Sequence, residues 1–191
     1  MNATYSPVPE LNLLKELQDR LGFENYAEGF GLSDYDDDSG LAAGWSKDSE
    51  FLAGLIGFAQ ANGSGSIYAL WRLDDRTDLA TLPVVVFGDE GGLHVVSRDL
   101  RELFQLLALD SEISVDWDDA HFYSDAEEEH SNGHSAYVAW LAEHFGLTAP
   151  EDHEALVTAA QEEFGQRFAQ WARPFLPGWV RVTSQPNWPD A

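Results

Sequence analysis

The residues with the clearest chemical potential lie in the segment 116–129, where carboxylates crowd around a tryptophan. No lysine or arginine occurs between Arg101 and Arg167, so these carboxylates have no cation close to them in sequence. Like charges gathered in this way repel one another, and their potential speeds the approach of a basic partner. We therefore predict a partner-binding surface, the alternative being a solvated loop in an acidic protein. The predicted surface consists of Asp116, Trp117, Asp118, Asp119, Asp125, Glu127, Glu128 and Glu129.

Histidines close to this segment raise the question of a metal site. His130 and His134 are four residues apart, with His121 and Glu127 nearby, and on a helix this spacing would direct two imidazoles at one ion. Residues 131–133 (SNG) between them have the composition of a turn, which argues against a helix interior. We therefore favour surface histidines and predict no metal and no cofactor. A metal-dependent hydrolase that uses the three histidines is the alternative.

Other groupings that resemble catalytic or metal sites lack the context that such sites need. His94, Ser97 and Asp99 are close in sequence, but no G-x-S-x-G turn or other triad context accompanies them. Acidic residues at alternating positions over 34–38 imitate a calcium loop, whose glycine and final glutamate are missing. The chain has no cysteine, which excludes thiolate chemistry. We predict that the protein is not an enzyme.

The elements that must position these residues centre on a series of strand patterns. Residues 67–73 are rich in β-branched and aromatic side chains, and 84–87 form the continuous apolar run of a strand covered on both faces. The glycine-rich segment 88–92 predicts a turn, and 93–97 a returning strand, so 84–97 forms a hairpin. Alternation over 110–117 predicts a further strand.

Helical spacing of apolar residues predicts the elements that cover the sheet. Asp99 is placed to cap a helix, with Glu102 at the third helical position. An aromatic stripe that ends at Trp171 predicts a long core helix near the C-terminus, and a short edge strand is expected from Gly178. The fold class is therefore α+β, a single mixed, mainly antiparallel sheet flanked by helices. The predicted helices span about 9–21, 49–62, 99–107, 135–145 and 150–174.

Three short motifs in this region resemble a known superfamily. They are residues 63–71 (GSGSIYALW), 82–91 (LPVVVFGDEG) and 95–100 (VVSRDL), followed by an apolar helix. Their order is similar to that of the SUKH superfamily, which includes the fungal Smi/Knr cell-wall regulators and many bacterial immunity proteins. The resemblance is clearest over about residues 50–146 and leaves a C-terminal helical extension, 147–191, unmatched. It implies an α+β domain that binds another protein, in bacteria usually a secreted toxin whose activity it blocks.

Length, composition and charge limit the remaining possibilities. The 191 residues are 44% hydrophobic, enough for one core, so we predict a single domain over residues 1–191. Ten basic residues against 34 acidic ones leave a net charge of −24, which disfavours direct binding to nucleic acid or anionic membrane and favours a basic protein. The sequence shows neither a signal-peptide pattern nor a membrane-length apolar run, so we expect a cytoplasmic protein.

These observations together predict a non-enzymatic immunity protein. It would neutralise a basic toxin, often a nuclease in polymorphic or contact-dependent toxin systems, by occluding the active face of that toxin. A regulatory scaffold of the SUKH type without a toxin partner is the alternative.

Overall fold

The computed structural model describes residues 4–123 and 129–179, whose strands form one main sheet and one small one. The main sheet has the spatial order β1-β2-β3-β4-β5, and its neighbouring strands are antiparallel. This confirms the prediction of an α+β fold with a mainly antiparallel sheet. The second sheet, the hairpin β6–β7, had not been predicted as a separate unit. The strands are β1 (Gly31–Leu32), β2 (Leu55–Gln60), β3 (Ile67–Trp71), β4 (Val84–Phe87), β5 (Leu93–Ser97), β6 (Ile113–Val115) and β7 (Ala120–Phe122).

Four helices begin where an aspartate side chain or a proline favours the first turn. Asp99 accepts a hydrogen bond from the backbone N–H of Glu102 at 2.9 Å, as the predicted cap requires, and Asp152 caps a later helix in the same way. No helix in the described ranges is long and apolar enough to cross a membrane. The helices are α1 (Pro9–Leu21), α2 (Ser39–Gly44), α3 (Ser49–Ala53), α4 (Leu100–Leu107), α5 (His134–Phe145), α6 (His153–Ala160) and α7 (Gln166–Ala172). A π-helical turn (Gln161–Gly165) joins α6 to α7, and 3₁₀ turns span Leu79–Thr81, Arg173–Phe175 and Pro177–Trp179.

Strand β4 is buried on both faces, as its apolar run predicted. Val84 and Val86 belong to one hydrophobic cluster, which is completed by residues of α1, α4 and α5. Val85 and Phe87 belong to a second cluster, completed by residues of α3, α7 and the segment that follows α7. Because successive side chains of a strand point to opposite faces, the sheet separates two hydrophobic cores.

The C-terminal helices form the cover of the second core. Phe168 of α7 is buried, and its ring lies 5.1 Å from the ring of Trp71 in β3, measured between centroids. Trp171 stacks on Phe51 of α3 at 5.7 Å, with an angle of 14° between the ring planes. The aromatic stripe predicted for this helix is therefore core, as expected. Residues of α6, α7 and the segment after α7 therefore cover this face of the sheet together with α2 and α3.

The prediction of a helix over 49–62 was wrong for the second half of that segment. Helix α3 ends at Ala53, and the following residues form β2, which pairs with β1 on one side and β3 on the other. Leu55 lies in the second core and Ile56 in the first, so consecutive side chains point to opposite faces. Apolar residues at these positions fit both the periodicity of a helix and that of a strand. Hydrogen bonding to two neighbouring strands decides in favour of a strand.

The remaining differences lie near the C-terminus. Helix α6 begins at His153, capped by Asp152, and so starts later than the proline at 150 suggested. Where an edge strand was expected to begin, at Gly178, the chain forms a 3₁₀ turn, Pro177–Trp179. Residues 180–182 lie outside the described part of the chain.

Removing the Phe168 ring tests whether the C-terminal helix is part of the core. Phe168→Ala should lower the free energy of unfolding by about 3–5 kcal/mol, because a buried ring leaves a cavity between α7 and the sheet. Gln170→Ala, an exposed change on the same helix, should change it by less than about 0.5 kcal/mol. Urea unfolding followed by circular dichroism measures both. Equal, small effects would mean that the helix does not stabilise the sheet.

Candidate functional site

The predicted acidic surface begins in the loop of residues 116–119, which joins β6 to β7. One oxygen of the Asp116 carboxylate accepts hydrogen bonds from the backbone N–H groups of Asp118 and Asp119, each at 3.0 Å. The backbone N–H of Asp116 donates to the carbonyl of Asp119 at 2.9 Å. These N–H donors hold the pKa of the Asp116 carboxyl below its usual value. The Asp116 carboxylate therefore organises the turn that presents its neighbours.

The glycine turn between β4 and β5 fixes this loop against the main sheet. A Cβ atom at Gly92 would lie 1.9 Å from the carbonyl oxygen of Asp116, and one at Gly91 would lie 2.5 Å from the ring of Trp117. Both glycines have positive φ angles, +114° and +88° for Gly91 and Gly92. His94 of β5 adds a hydrogen bond from Nε2 to the Asp116 carbonyl at 2.8 Å. Only glycine permits so close an approach of the two segments.

The loop presents charged and aromatic groups to solvent side by side. Asp118 and Asp119 are exposed, and Trp117 keeps 48% of its surface exposed. Tyr123, just after β7, is 58% exposed. An exposed aromatic ring next to carboxylates can bury apolar area against a partner while the charges attract basic side chains.

Beside the loop lies a polar cleft of about 510 Å³ that sequence reasoning missed. It opens between the β2–β3 turn, the β4–β5 turn and β6. Its carboxylates come from Glu28, Asp89, Glu90 and Glu112, and Tyr123 also lines it. Asp89 and Glu90 were recognised in the sequence only as turn residues, because nothing local indicates that the turn contacts β6. The acidic surface is therefore larger than the segment 116–129.

Hydrogen bonds from the β2–β3 turn hold the walls of this cleft together. Asn62 donates from Nδ2 to the carbonyl of Ile113 at 3.1 Å, and the N–H of Gly63 donates to Glu112 Oε1 at 2.7 Å. The hydroxyls of Ser64 and Ser66 donate to Asp89 Oδ1 at 2.7 and 2.9 Å. The turn thus bridges two sheets, and its donors are used in structural contacts.

The predicted surface residues are only partly described. Asp116, Trp117, Asp118 and Asp119 lie together in the β6–β7 loop, so the strand predicted over 110–117 is shorter than expected and ends at Val115, which leaves Trp117 exposed. Glu129 is exposed, a few residues before α5. Asp125, Glu127 and Glu128 lie outside the described residues.

The histidines meet a carboxylate that the sequence analysis had not considered. Donor atoms of Asp110, His130 and His134 lie within 4.8 Å of one another. Within the described residues, this group does not include His121, and Glu127 falls outside them. His134 is the first residue of α5, and His130 precedes the turn 131–133 that the composition predicted.

The polar groups of the three residues compared with a catalytic triad are bound to other partners. Ser97 donates from its hydroxyl to the backbone carbonyl of Asp99 at 2.8 Å, while the Asp99 carboxylate caps α4. His94 donates to Asp116 instead. These contacts are structural. They occupy the histidine nitrogen and the carboxylate that would have to activate a serine nucleophile.

Comparison with known proteins adds no assignment to this geometry. The chain matched no protein-family model, no curated protein and no solved structure.

Two glycine substitutions test the contact between the β4–β5 turn and the acidic loop. Gly65→Ala, at φ +106° with open space around the new methyl, should cost only backbone strain, about 1–3 kcal/mol. Gly92→Ala should cost more, because its methyl also displaces the Asp116 carbonyl. Urea unfolding of the two variants gives the comparison. If both variants lose the same stability, the loop does not depend on this contact.

The lowered pKa of Asp116 makes a prediction about acid stability. The pKa of Asp116 in the folded state lies below the ordinary value of 3.8. The stability that the ionised Asp116 carboxylate contributes is therefore complete above that value and is lost as pH falls through the folded-state pKa. The difference in unfolding free energy between wild type and Asp116→Asn should therefore narrow as pH falls from about 5 to below 3.8. Urea unfolding of dilute protein across this range measures it. A difference that widens in acid would contradict the assignment.

Proposed function

We propose that this protein is a non-enzymatic immunity protein that neutralises a basic toxin by covering the toxin's active face. The observation that supports this most directly is the pair of neighbouring acidic and aromatic features, the loop 116–119 after β6 and the cleft that β6 lines. The SUKH resemblance of residues 63–100 points to the same class of protein. A nuclease is the fitting toxin, because its substrate-binding face must be positively charged to hold phosphates.

The surface has the properties of a binding face that attracts its partner over a distance. The net charge of −24 gives the molecule a strong negative potential, to which the exposed carboxylates of the loop and cleft contribute. Such a potential raises association rates with basic proteins about 10- to 1,000-fold at low salt. The rate advantage falls as salt screens the charges.

The loop is also held in place before any partner arrives. Asp116 binds two backbone N–H groups of its own turn, and the glycine turn supports it from the main sheet. A pre-organised loop loses little conformational freedom on binding, so more of its contact energy appears as affinity. Trp117, 48% exposed at the centre of the loop, is the natural anchor, since tryptophan dominates many interface hot spots.

The functional experiment pairs recovery of the partner with protection of cells. Tagged protein is incubated with lysate and secreted fractions at low and high salt, and bound proteins are identified by mass spectrometry. We expect a basic toxin domain whose retention falls with salt, and co-expression of the two proteins should restore growth of a bacterial host. Salt-insensitive binding, or cells that remain unprotected, would argue against an immunity function.

Charge-neutralising variants test which acidic segment meets the partner. Asp118→Asn with Asp119→Asn should slow association with the recovered toxin domain by about 10-fold, while the dissociation rate changes little, because exposed charges act mainly on encounter. Asp34→Asn with Asp38→Asn removes the same charge from a separate exposed loop and should leave association nearly unchanged. Surface plasmon resonance at low salt measures both. Equal slowing by the two pairs would indicate that net charge acts without a defined face.

A further inference from the structure

Asp110, His130 and His134 form a compact group of metal-ligating side chains between the end of α4 and the start of α5. One donor atom from each lies within 4.8 Å of the others. We propose that this group binds one divalent transition-metal ion of the zinc type. The proposal is independent of the function proposed above, because it concerns a different group of side chains.

Asp110 provides a buried negative charge that is already held in position. Its side chain is only 1% exposed and accepts hydrogen bonds from the N–H of Glu28 at 2.9 Å and from the N–H and hydroxyl of Ser131 at 2.5 and 2.7 Å. Among the described residues, its ionic contact is with His130, at 3.3 Å, and not with a lysine or arginine. A buried carboxylate without a permanent cation loses hydration that a bound metal ion would replace.

His134 is held in the orientation of a metal ligand. Its Nε2 lies 2.9 Å from the backbone carbonyl of Ala108. Because a carbonyl can only accept, Nε2 bears the proton and Nδ1 retains the lone pair that binds metals. Metal-bound histidines characteristically donate their second ring N–H to a carbonyl or carboxylate in this way.

His130 supplies the third, solvent-exposed ligand. Its side chain is 61% exposed, and its ring stacks on that of His134 with centroids 4.0 Å apart and planes at 17°. Imidazole nitrogens bind a metal with lone pairs that lie in the plane of the ring, so two stacked, nearly parallel rings cannot both bind one ion in their present orientation. His130 must turn out of the stack to bind, and its Nδ1 already lies 3.3 Å from Asp110 Oδ2.

The donor set selects the class of ion. Two imidazole nitrogens and one carboxylate oxygen suit Zn²⁺, Co²⁺ or Ni²⁺, whereas Ca²⁺ and Mg²⁺ prefer oxygen ligands alone. The positive end of α5 opposes a cation, but it is equivalent to only about half a unit charge, against the full charge of the Asp110 carboxylate. Three protein ligands leave at least one coordination position for water or another ligand.

Calorimetric titration of untagged, chelator-treated protein with ZnCl₂ tests the site. We expect one tight equivalent of Zn²⁺, a visible absorption band when Co²⁺ replaces it, and no displacement by excess Ca²⁺ or Mg²⁺. His130→Ala and His134→Ala should each weaken Zn²⁺ binding by at least about 10-fold. His144→Ala, which removes an exposed histidine from the same helix, should leave it unchanged.

Two results would overturn the proposal. One is Zn²⁺ affinity that is the same in His130→Ala as in wild type, and the other is Zn²⁺ that Ca²⁺ displaces, as expected for diffuse binding by surface carboxylates. Because the His130 side chain is exposed, we expect His130→Ala to keep the native fold, and circular dichroism checks this. The test therefore does not depend on the variant of the more buried His134. In agreement with a specific site, Zn²⁺ should raise the melting temperature of wild type but not of His130→Ala.

Discussion

Strand β4 can exist only if water is excluded from both of its faces, and the rest of the fold meets that requirement. Val84 and Val86 need one hydrophobic layer, and Val85 and Phe87 need another, so helices must lie on both sides of the sheet. Each fully buried side chain of this size contributes about 1.5–3 kcal/mol. Helices α1, α4 and α5 cover one face, and α2, α3, α6 and α7 contribute to the cover of the other. The C-terminal helices are therefore part of the core that encloses the sheet.

The same sheet determines where the acidic loop can be. The turn between β4 and β5 projects from the covered region, and its two glycines allow the loop 116–119 to approach to contact distance. The contacts of the Asp116 carbonyl with Gly92 and His94 attach the loop directly to the main sheet. The surface that we propose for a partner thus lies against the buried strands β4 and β5.

The carboxylates of this surface divide into two kinds. Asp116, Asp89 and Glu112 accept hydrogen bonds from backbone or serine donors and join the small sheet to the main one. Asp118 and Asp119 are exposed to solvent, and Asp119 also accepts a hydrogen bond from the N–H of Ala120 at 2.8 Å. Donors placed around the first kind offset part of the repulsion that a net charge of −24 imposes. Asp110 differs from both, since it is buried and faces two imidazoles.

Local sequence determined the hairpin 84–97, the helix capped by Asp99, the aromatic stripe of α7 and the acidic loop itself. Periodicity, capping and turn composition depend on residues a few positions apart, so the sequence alone contains them. Tertiary structure alone decided that 55–60 is a strand, that Asp89 and Glu90 join the acidic surface, and that Asp110 meets His130 and His134. Each of these depends on contacts between segments distant in the chain. The apolar residues of 55–60 fit both a helical and a strand periodicity, and pairing with two neighbouring strands decides between them. Asp89 and Glu90 meet β6, and Asp110 meets the two histidines, only once the fold has brought these segments together.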